Sequence, residues 1–152
     1  MAITASGYYG LTLEKQLIDT AGFSLENTVI SAMLVTDGYT PNFDTHDFRN
    51  DVTNEVTAGS GYTSGGQSLA ATPALTVATP AATQINYDSA DPAWASSTIT
   101  DAMAAVLFRS TGTSTTDELV FLADFGTAVS TSNGTLTVAV DSNGWFYIDY
   151  SS

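Results

Sequence analysis

The fold class is decided by four runs typical of β-strands in the C-terminal part of the chain: AMAAVLF (102–108), LVFLADF (119–125), TLTVAV (135–140) and WFYIDY (145–150). The first two are continuously apolar, as in strands covered on both faces, although a buried helical segment can have the same pattern. The last two alternate more regularly between two faces, as in strands with one packed face. Asn143-Gly144 lies between them and accepts the positive φ of a hairpin turn. We therefore predict an antiparallel sheet whose last two strands form a hairpin.

One helix is predicted, from Tyr8 to Asp19. Tyr9, Leu13 and Leu17 recur at helical spacing, which predicts that they form its buried face. Gly22 would suit the C-terminal cap of this helix. The helix can pack either on the sheet or on a neighbouring subunit.

Further strands precede the four C-terminal runs. Residues 28–35 are typical of a buried strand, and 69–87 of two short strands joined by a bend at 79–81. Asp88 to Trp94 is predicted as an exposed turn anchored by Trp94. About seven or eight strands result, at the spacing of an antiparallel β-sandwich or jelly roll. The sequence thus predicts a mainly β fold with one N-terminal helix, as a single domain over 1–152 with a helix segment at 7–22 and a β-sandwich at 28–150.

Length and composition are those of one independently folding domain. The 152 residues are enough to bury about 70% of the unfolded surface without a metal or a disulfide. Cysteine is absent, which removes disulfides, thiolate metal sites and cysteine nucleophiles. The start lacks the features of a signal peptide, and no run approaches the ~18 apolar residues of a membrane span. We expect a soluble protein without a secretion signal.

The charge is strongly negative. Lys15, Arg49 and Arg109 are the only basic residues beside sixteen acidic ones, so the formal net charge is −13. Phosphate backbones and anionic membranes are bound through lysine and arginine, so we expect neither nucleic acid nor a membrane as a partner. The acidity can serve solubility, docking onto a basic surface, or binding of divalent cations between neighbouring acidic subunits.

The most polar segment, residues 39–66, contains the only candidate for metal chemistry. Asp44, His46 and Asp47 offer ligands, but adjacent His and Asp side chains diverge, and EF-hand spacing is missing. We instead predict a short helical turn with Asp44 as its N-cap, held to the core by Phe43 and Phe48. We therefore expect no metal and no cofactor.

Catalytic motifs are missing from the sequence as well. His46 is the only histidine, and its neighbours cannot converge on one imidazole as a catalytic triad requires. No nucleophile elbow, phosphate-binding loop or His-Glu-x-x-His pair occurs. We therefore expect no catalytic residue, and a protein that is not an enzyme.

A set of motifs resembles one family over most of the chain from Tyr8 to Tyr150, in order and with compatible spacing. The motifs are VTDGYTP (35–41), THDF (45–48), DVTNEV (51–56), GYTSGG (61–66), WASSTIT (94–100), DFG (124–126) and STSNG (130–134). Together they are similar to small virion structural proteins of tailed bacteriophages. The resemblance implies a non-enzymatic capsid decoration or cement protein that binds the major capsid protein and stabilises the head shell. Such a protein is located in the virion and assembled in the host cytoplasm. A homotrimer would suit capsid sites of local threefold symmetry.

Two alternatives remain open at this point. One is a tail, baseplate or head-fibre component with the same fold. The other is a fibre-tip module that binds host carbohydrate by stacking sugars on aromatic rings, for which the candidates are Tyr39, Tyr62, Trp94 and Trp145. The Gly61-Tyr62 loop and the Asp88 to Trp94 turn are candidate interface loops, unless Tyr62 and Trp94 merely cap the ends of the sandwich.

Overall fold

The computed structural model describes residues 3–18, 24, 25, 29–69, 83–150 and the backbone of 74–77. Ten β-strands and one α-helix lie in these ranges. In chain order they are β1 Gly7–Tyr8, α1 Gly10–Leu17, β2 Ile30–Thr36, β3 Gln67–Ser68, β4 Ala74–Val77, β5 Gln84–Asp88, β6 Ala93–Ser97, β7 Ala102–Arg109, β8 Leu119–Val129, β9 Gly134–Thr137 and β10 Phe146–Asp149. A 3₁₀ turn spans Arg49–Asp51.

Three antiparallel sheets make up the fold. The largest has the strand order β1-β8-β7-β2-β3, and the smaller ones have the orders β10-β5-β4 and β6-β9. The central strands β2 and β7 are buried on both faces. Along β2, Ile30, Ala32 and Leu34 point into one apolar core, and Met33 and Val35 point into a second core on the opposite face. This two-sided burial is why these strands are continuously apolar, as predicted.

Each face of the large sheet has its own cover. The first core includes Tyr87 of β5, Trp94 of β6 and Leu136 of β9, so the two small sheets cover that face. The second core includes Tyr9 and Tyr39, which lie beside α1 and in the loop after β2. The predicted class, a mainly β antiparallel fold with a single helix, is confirmed for the described residues. The second β layer, however, is divided between two small sheets.

The predicted hairpin between the last two strands is wrong. Strand β9 pairs with β6, and β10 pairs with β5. A turn does form at Asp141–Gly144, and Gly144 has the expected positive φ of 82°. A Cβ at Gly144 would lie 2.1 Å from the Tyr87 carbonyl oxygen, so the turn is pressed against β5 instead of joining paired strands. Tertiary packing on β5, and not the local turn, therefore selects the strand partners.

The helix forms where predicted but buries a different face. Thr12 is its buried residue, whereas Leu13, Leu17 and Ile18 are exposed. Two polar contacts flank Thr12 and orient the helix. On one side the Lys15 ammonium contacts the Asp47 carboxylate at 2.6 Å, and on the other Gln16 Oε1 accepts a 2.6 Å hydrogen bond from the Tyr8 hydroxyl. The predicted Gly22 cap lies outside the described residues.

Other predictions differ in detail. Residues 93–97 form strand β6, so the predicted Asp88 to Trp94 turn is confined to the segment before Ala93. The two short strands predicted within 69–87 form as β4 and β5, which pair with each other, while the predicted bend at 79–81 lies outside the described residues. The two-residue strands β1 and β3 were not predicted, because they are too short to carry a periodic signal.

Candidate docking surface

The residues considered as metal ligands do not converge. His46 Nδ1 lies 2.9 Å from the Tyr39 hydroxyl, and Asp47 binds Lys15. Asp44 is exposed, and it is not the N-cap of its turn: Asn42 Oδ1 accepts hydrogen bonds from the backbone N–H groups of Asp44 and Thr45, both at 3.1 Å. Asn42 takes this role because an N-cap side chain accepts from the N–H groups two and three positions after it, which here belong to Asp44 and Thr45. In the described ranges no three acidic or histidine side chains are grouped so that they could hold a metal ion.

The aromatic rings proposed for sugar stacking are buried. Tyr62 and Trp94 are only 2% and 4% exposed, and their ring centroids lie 6.1 Å apart. Tyr39 and Trp145 are buried as well, and the Trp145 indole N–H donates a 2.8 Å hydrogen bond to Ser89 Oγ. These four rings therefore offer no flat exposed face to a sugar. Of the two alternatives for Tyr62 and Trp94, exposure at interface loops or packing at the ends of the sandwich, their burial favours packing.

Tyr62 is further held by polar contacts of its hydroxyl. The hydroxyl accepts a hydrogen bond from the Leu34 backbone N–H at 3.0 Å and donates one to Glu55 Oε1 at 3.0 Å. Glu55 also accepts a hydrogen bond from Ser64 Oγ at 2.8 Å. Burial raises the pKa of Tyr62 well above its ordinary value, so the hydroxyl stays protonated at neutral pH. Tyr62 and Glu55 thus fasten the 55–65 loop to β2.

All three basic side chains are used within the fold. Lys15 pairs with Asp47, Arg49 Nε contacts Asp117 Oδ2 at 2.8 Å, and Arg109 Nη1 contacts Glu118 Oε1 at 3.3 Å. With a net charge of −13, the remaining ionised groups are overwhelmingly carboxylates.

Apolar side chains are exposed on the outer side of α1. Leu17 is 78% exposed, and Leu13 and Ile18 are exposed as well, on the side away from buried Thr12. Leu13 and Leu17 are one helical turn apart and therefore share a face. A helix that packs on its own sheet turns its apolar side chains inward. In α1 polar side chains face inward and Leu13 and Leu17 face outward, which is the reverse. Such a face is typical of a contact with another molecule.

A second exposed apolar segment lies on β10. Phe146 packs on the rings of Tyr8, Tyr87 and Phe121, with centroid distances of 5.0 to 5.2 Å. Because strand residues alternate between faces, Ile148 and Tyr150 continue the Phe146 face, and both are half-exposed. In the described sheets β10 is an edge strand that pairs with β5 alone. The face that carries Ile148 and Tyr150 is therefore partly accessible.

Tyr8 connects the two segments. Its hydroxyl donates to Gln16 of α1, and its ring meets Phe146 of β10 edge-on. We refer to the two sets of exposed apolar side chains, one on α1 and one on β10, together as the apolar face, which comprises Leu13, Leu17, Ile18, Ile148 and Tyr150. Helical spacing predicted that Leu13 and Leu17 share an apolar face but left open whether the sheet or a neighbouring subunit covers it, because the spacing does not report what covers a face. The polar residues Thr12 and Gln16 beside them were the signal that could have revealed the true orientation.

Comparison of the chain with family models, curated proteins and solved structures found no match. The α-helix in the described part of the chain has eight residues, far fewer than the ~20 that span a bilayer.

Proposed function

We propose that the chain is a non-enzymatic structural protein of a tailed-phage virion, a decoration protein that binds the major capsid protein and stabilises the head shell. The apolar face is the observation that carries the proposal, because a decoration protein needs an exposed adhesive surface and no chemical site. The motifs that resemble phage virion proteins, in the same order and with compatible spacing, support a location in the virion.

The energetics of the apolar face suit a docking role. Burying a fully exposed leucine or isoleucine contributes about 1.5–3 kcal/mol, and α1 presents three such residues that are 37% to 78% exposed, so each can contribute part of that free energy. Each of the three basic side chains forms an ion pair with a carboxylate, and most other ionised groups are acidic. A partner with basic groups around the apolar face would therefore associate faster and more specifically. Repetition over a symmetric shell then multiplies a modest affinity.

The ionised side chains inside the fold are engaged with one another and with polar groups, as expected of a stable structural domain. Two carboxylates are buried among the described residues. Asp117 pairs with Arg49 and accepts hydrogen bonds from Thr111, and Glu118 pairs with Arg109. The buried phenols of Tyr9, Tyr39 and Tyr62 have raised pKa values because burial disfavours the phenolate. Self-association as a homotrimer at a site of local threefold symmetry belongs to the same proposal.

The test begins with virus particles from the source of this chain, purified on a density gradient. We expect the chain to migrate with intact particles and a gold-labelled antibody to mark heads. Label on tails would replace decoration by the tail or fibre alternative, and a chain that stays at the top of the gradient would refute the virion proposal.

The apolar face is then tested by re-addition to particles that lack the chain. Leu17→Ser combined with Ile18→Ser should reduce binding at least about tenfold, because two exposed apolar side chains no longer become buried. Val29→Ser is the matched control, since Val29 is exposed before β2 and lies outside the apolar face. If the unchanged chain, the Leu17→Ser/Ile18→Ser variant and Val29→Ser bind equally, the apolar face has no role in docking, although the virion location would still stand. Light scattering of each protein gives the oligomeric mass.

A further inference from the structure

Arg49 is held rigidly from one side only. Its Nε donates a 2.8 Å hydrogen bond to Asp117 Oδ2, and its guanidinium carbon lies 5.2 Å from the centroid of the buried Phe108 ring. Asp117 is only 1% exposed in its side chain, while that of Arg49 is 23% exposed. Thr111 occupies Asp117 Oδ1 through its backbone N–H and its hydroxyl. The ion pair therefore fixes the position of the guanidinium while using only its Nε–H.

The other edge of the guanidinium has no protein acceptor among the described residues. Arg49 Nη1 lies next to Gly65, where a Cβ would approach it to 3.6 Å. Arg49 and Gly65 line a cavity of about 230 Å³ together with four serines, namely Ser31, Ser64, Ser68 and Ser110. Such a volume holds a small polar group with several waters.

Two of these serines lie in one row across the large sheet. Ser31 of β2 pairs with Ser68 of β3 and with Phe108 of β7, so the three side chains lie on the same face. Ser31 is 5% exposed as a whole residue, and its hydroxyl is not one of the fully buried polar atoms that lack a partner. Because Ser31 lines the cavity that Arg49 also lines, its hydroxyl can serve as a donor there.

We propose that this cavity, the Arg49 pocket, binds a carboxylate. The two terminal nitrogens of a guanidinium present parallel N–H groups that match the two oxygens of a carboxylate. The hydroxyls of Ser31 and Ser68 supply further donors at the sheet side. Nothing in this inference depends on the virion proposal.

A carboxylate fits better than phosphate. Arg49 brings a single positive charge, which Asp117 already offsets in part, and the chain as a whole carries −13. A dianion would meet more repulsion here than a monoanion. The carboxylate comes either from a free small acid or from an acidic side chain of another protein molecule, and the two sources share the same chemistry.

The test is a titration of the ¹⁵N-labelled full chain with sodium acetate, followed by the NMR signals of the Arg49 side chain and of the Ser31 and Ser68 amides. Sodium chloride at equal ionic strength corrects for screening. We expect saturable shifts with a Kd between about 1 and 100 mM, as befits a ligand this small. Phosphate should bind more weakly than acetate. If the same signals shift with protein concentration in the absence of acetate, and acetate reverses those shifts, the carboxylate comes from a side chain of a neighbouring protein molecule.

Two variants and a control make the result decisive. Ser31→Ala removes a hydroxyl that bonds no described protein group, so the fold should persist while acetate affinity falls about three- to tenfold. Arg49→Lys retains a charge for Asp117 but loses the forked edge, and it should abolish saturation. Ser132→Ala, in an exposed loop outside the cavity, should bind like the unchanged chain. Absence of saturable shifts, or identical shifts in Ser31→Ala, would overturn the proposal even if Arg49→Lys fails to fold.

Discussion

Asp117→Asn should destabilise the protein through loss of one buried charge. Asparagine keeps the shape of the side chain, and its Oδ1 can still accept the 2.6 Å hydrogen bond from the Thr111 N–H. Its amide nitrogen, however, would stand where Asp117 Oδ2 stands, 2.8 Å from the Arg49 Nε donor. The variant therefore replaces an attractive contact with two donors that face each other.

The expected size follows from the burial of the two partners. A hydrogen bond to a charged group contributes about 1.5–3 kcal/mol, and removing one partner of a fully buried ion pair costs about 3–5 kcal/mol. Because the Arg49 side chain is partly exposed, water from the cavity can hydrate it, and we expect a loss of about 2–3 kcal/mol. For a chain of this length, that loss corresponds to a fall in Tm of about 4–12 °C.

Urea denaturation followed by circular dichroism measures the effect. Asp44→Asn is the matched control, because Asp44 is exposed and its carboxylate has no hydrogen bond among the described residues; its change should stay within about 0.5 kcal/mol. An Asp117→Asn variant within the same 0.5 kcal/mol, at an unchanged m value, would refute the reasoning.

The pH dependence of this effect has a definite sign. Burial acts to raise the pKa of Asp117, but hydrogen bonds from Thr111 and Arg49 outweigh it and hold the pKa below its ordinary value. A carboxyl with a lowered folded pKa contributes stability that is present above the unfolded value of about 3.9 and is lost as the pH falls through the folded value. The difference between the unchanged chain and Asp117→Asn should therefore be constant near neutral pH and narrow below about pH 4.

Three further predictions concern other parts of the fold. Gly66→Ala should cost at least about 2 kcal/mol in the same urea assay, because φ is +68° and a Cβ would lie 1.9 Å from the Ala32 carbonyl oxygen, while Gly59→Ala, with open space at its Cβ, should change stability by less than about 0.5 kcal/mol. Leu122→Ala should cost about 2–5 kcal/mol because Leu122 is fully buried, whereas Leu17→Ala on the exposed helix face should cost under about 0.5 kcal/mol, and similar losses would contradict the assigned helix orientation. Asp51→Asn should flatten the loss of stability below about pH 4, since the N–H groups of residues 47 and 48 lower the pKa of that carboxyl; an unchanged acid transition would exclude this contribution.

The sequence predicted correctly where strands form when both faces of the strand are buried. The continuous apolar run at 102–108 forms β7, and the run at 28–35 contains most of β2, because strands covered on both faces need apolar side chains at every position. The run at 119–125 lies in β8, of which residues 119–122 are buried. Pairing was less predictable. The Asn143-Gly144 turn suggested a hairpin, but Trp145 N–H donates to the Tyr87 carbonyl and draws β10 onto β5. Such long-range pairing leaves no local trace in the sequence.

The properties of the candidate sites also differ in whether the sequence could predict them. Composition alone indicated a surface with too few cations for nucleic acid, and all three cations indeed lie in ion pairs. Whether an aromatic ring is exposed depends on the neighbours that the fold brings to it, which is why the sequence left two alternatives open for Tyr62 and Trp94.

By itself the sequence determined the mainly β class, the single N-terminal helix and the acidic character, because these follow from residue type and local periodicity. Only the tertiary structure decided which strands pair, which side of α1 faces outward, and that Arg49 and Ser31 line one cavity. These properties depend on contacts between residues far apart in the chain, such as Lys15 with Asp47 and Arg49 with Asp117. Their free energy is gained only when the whole domain has folded.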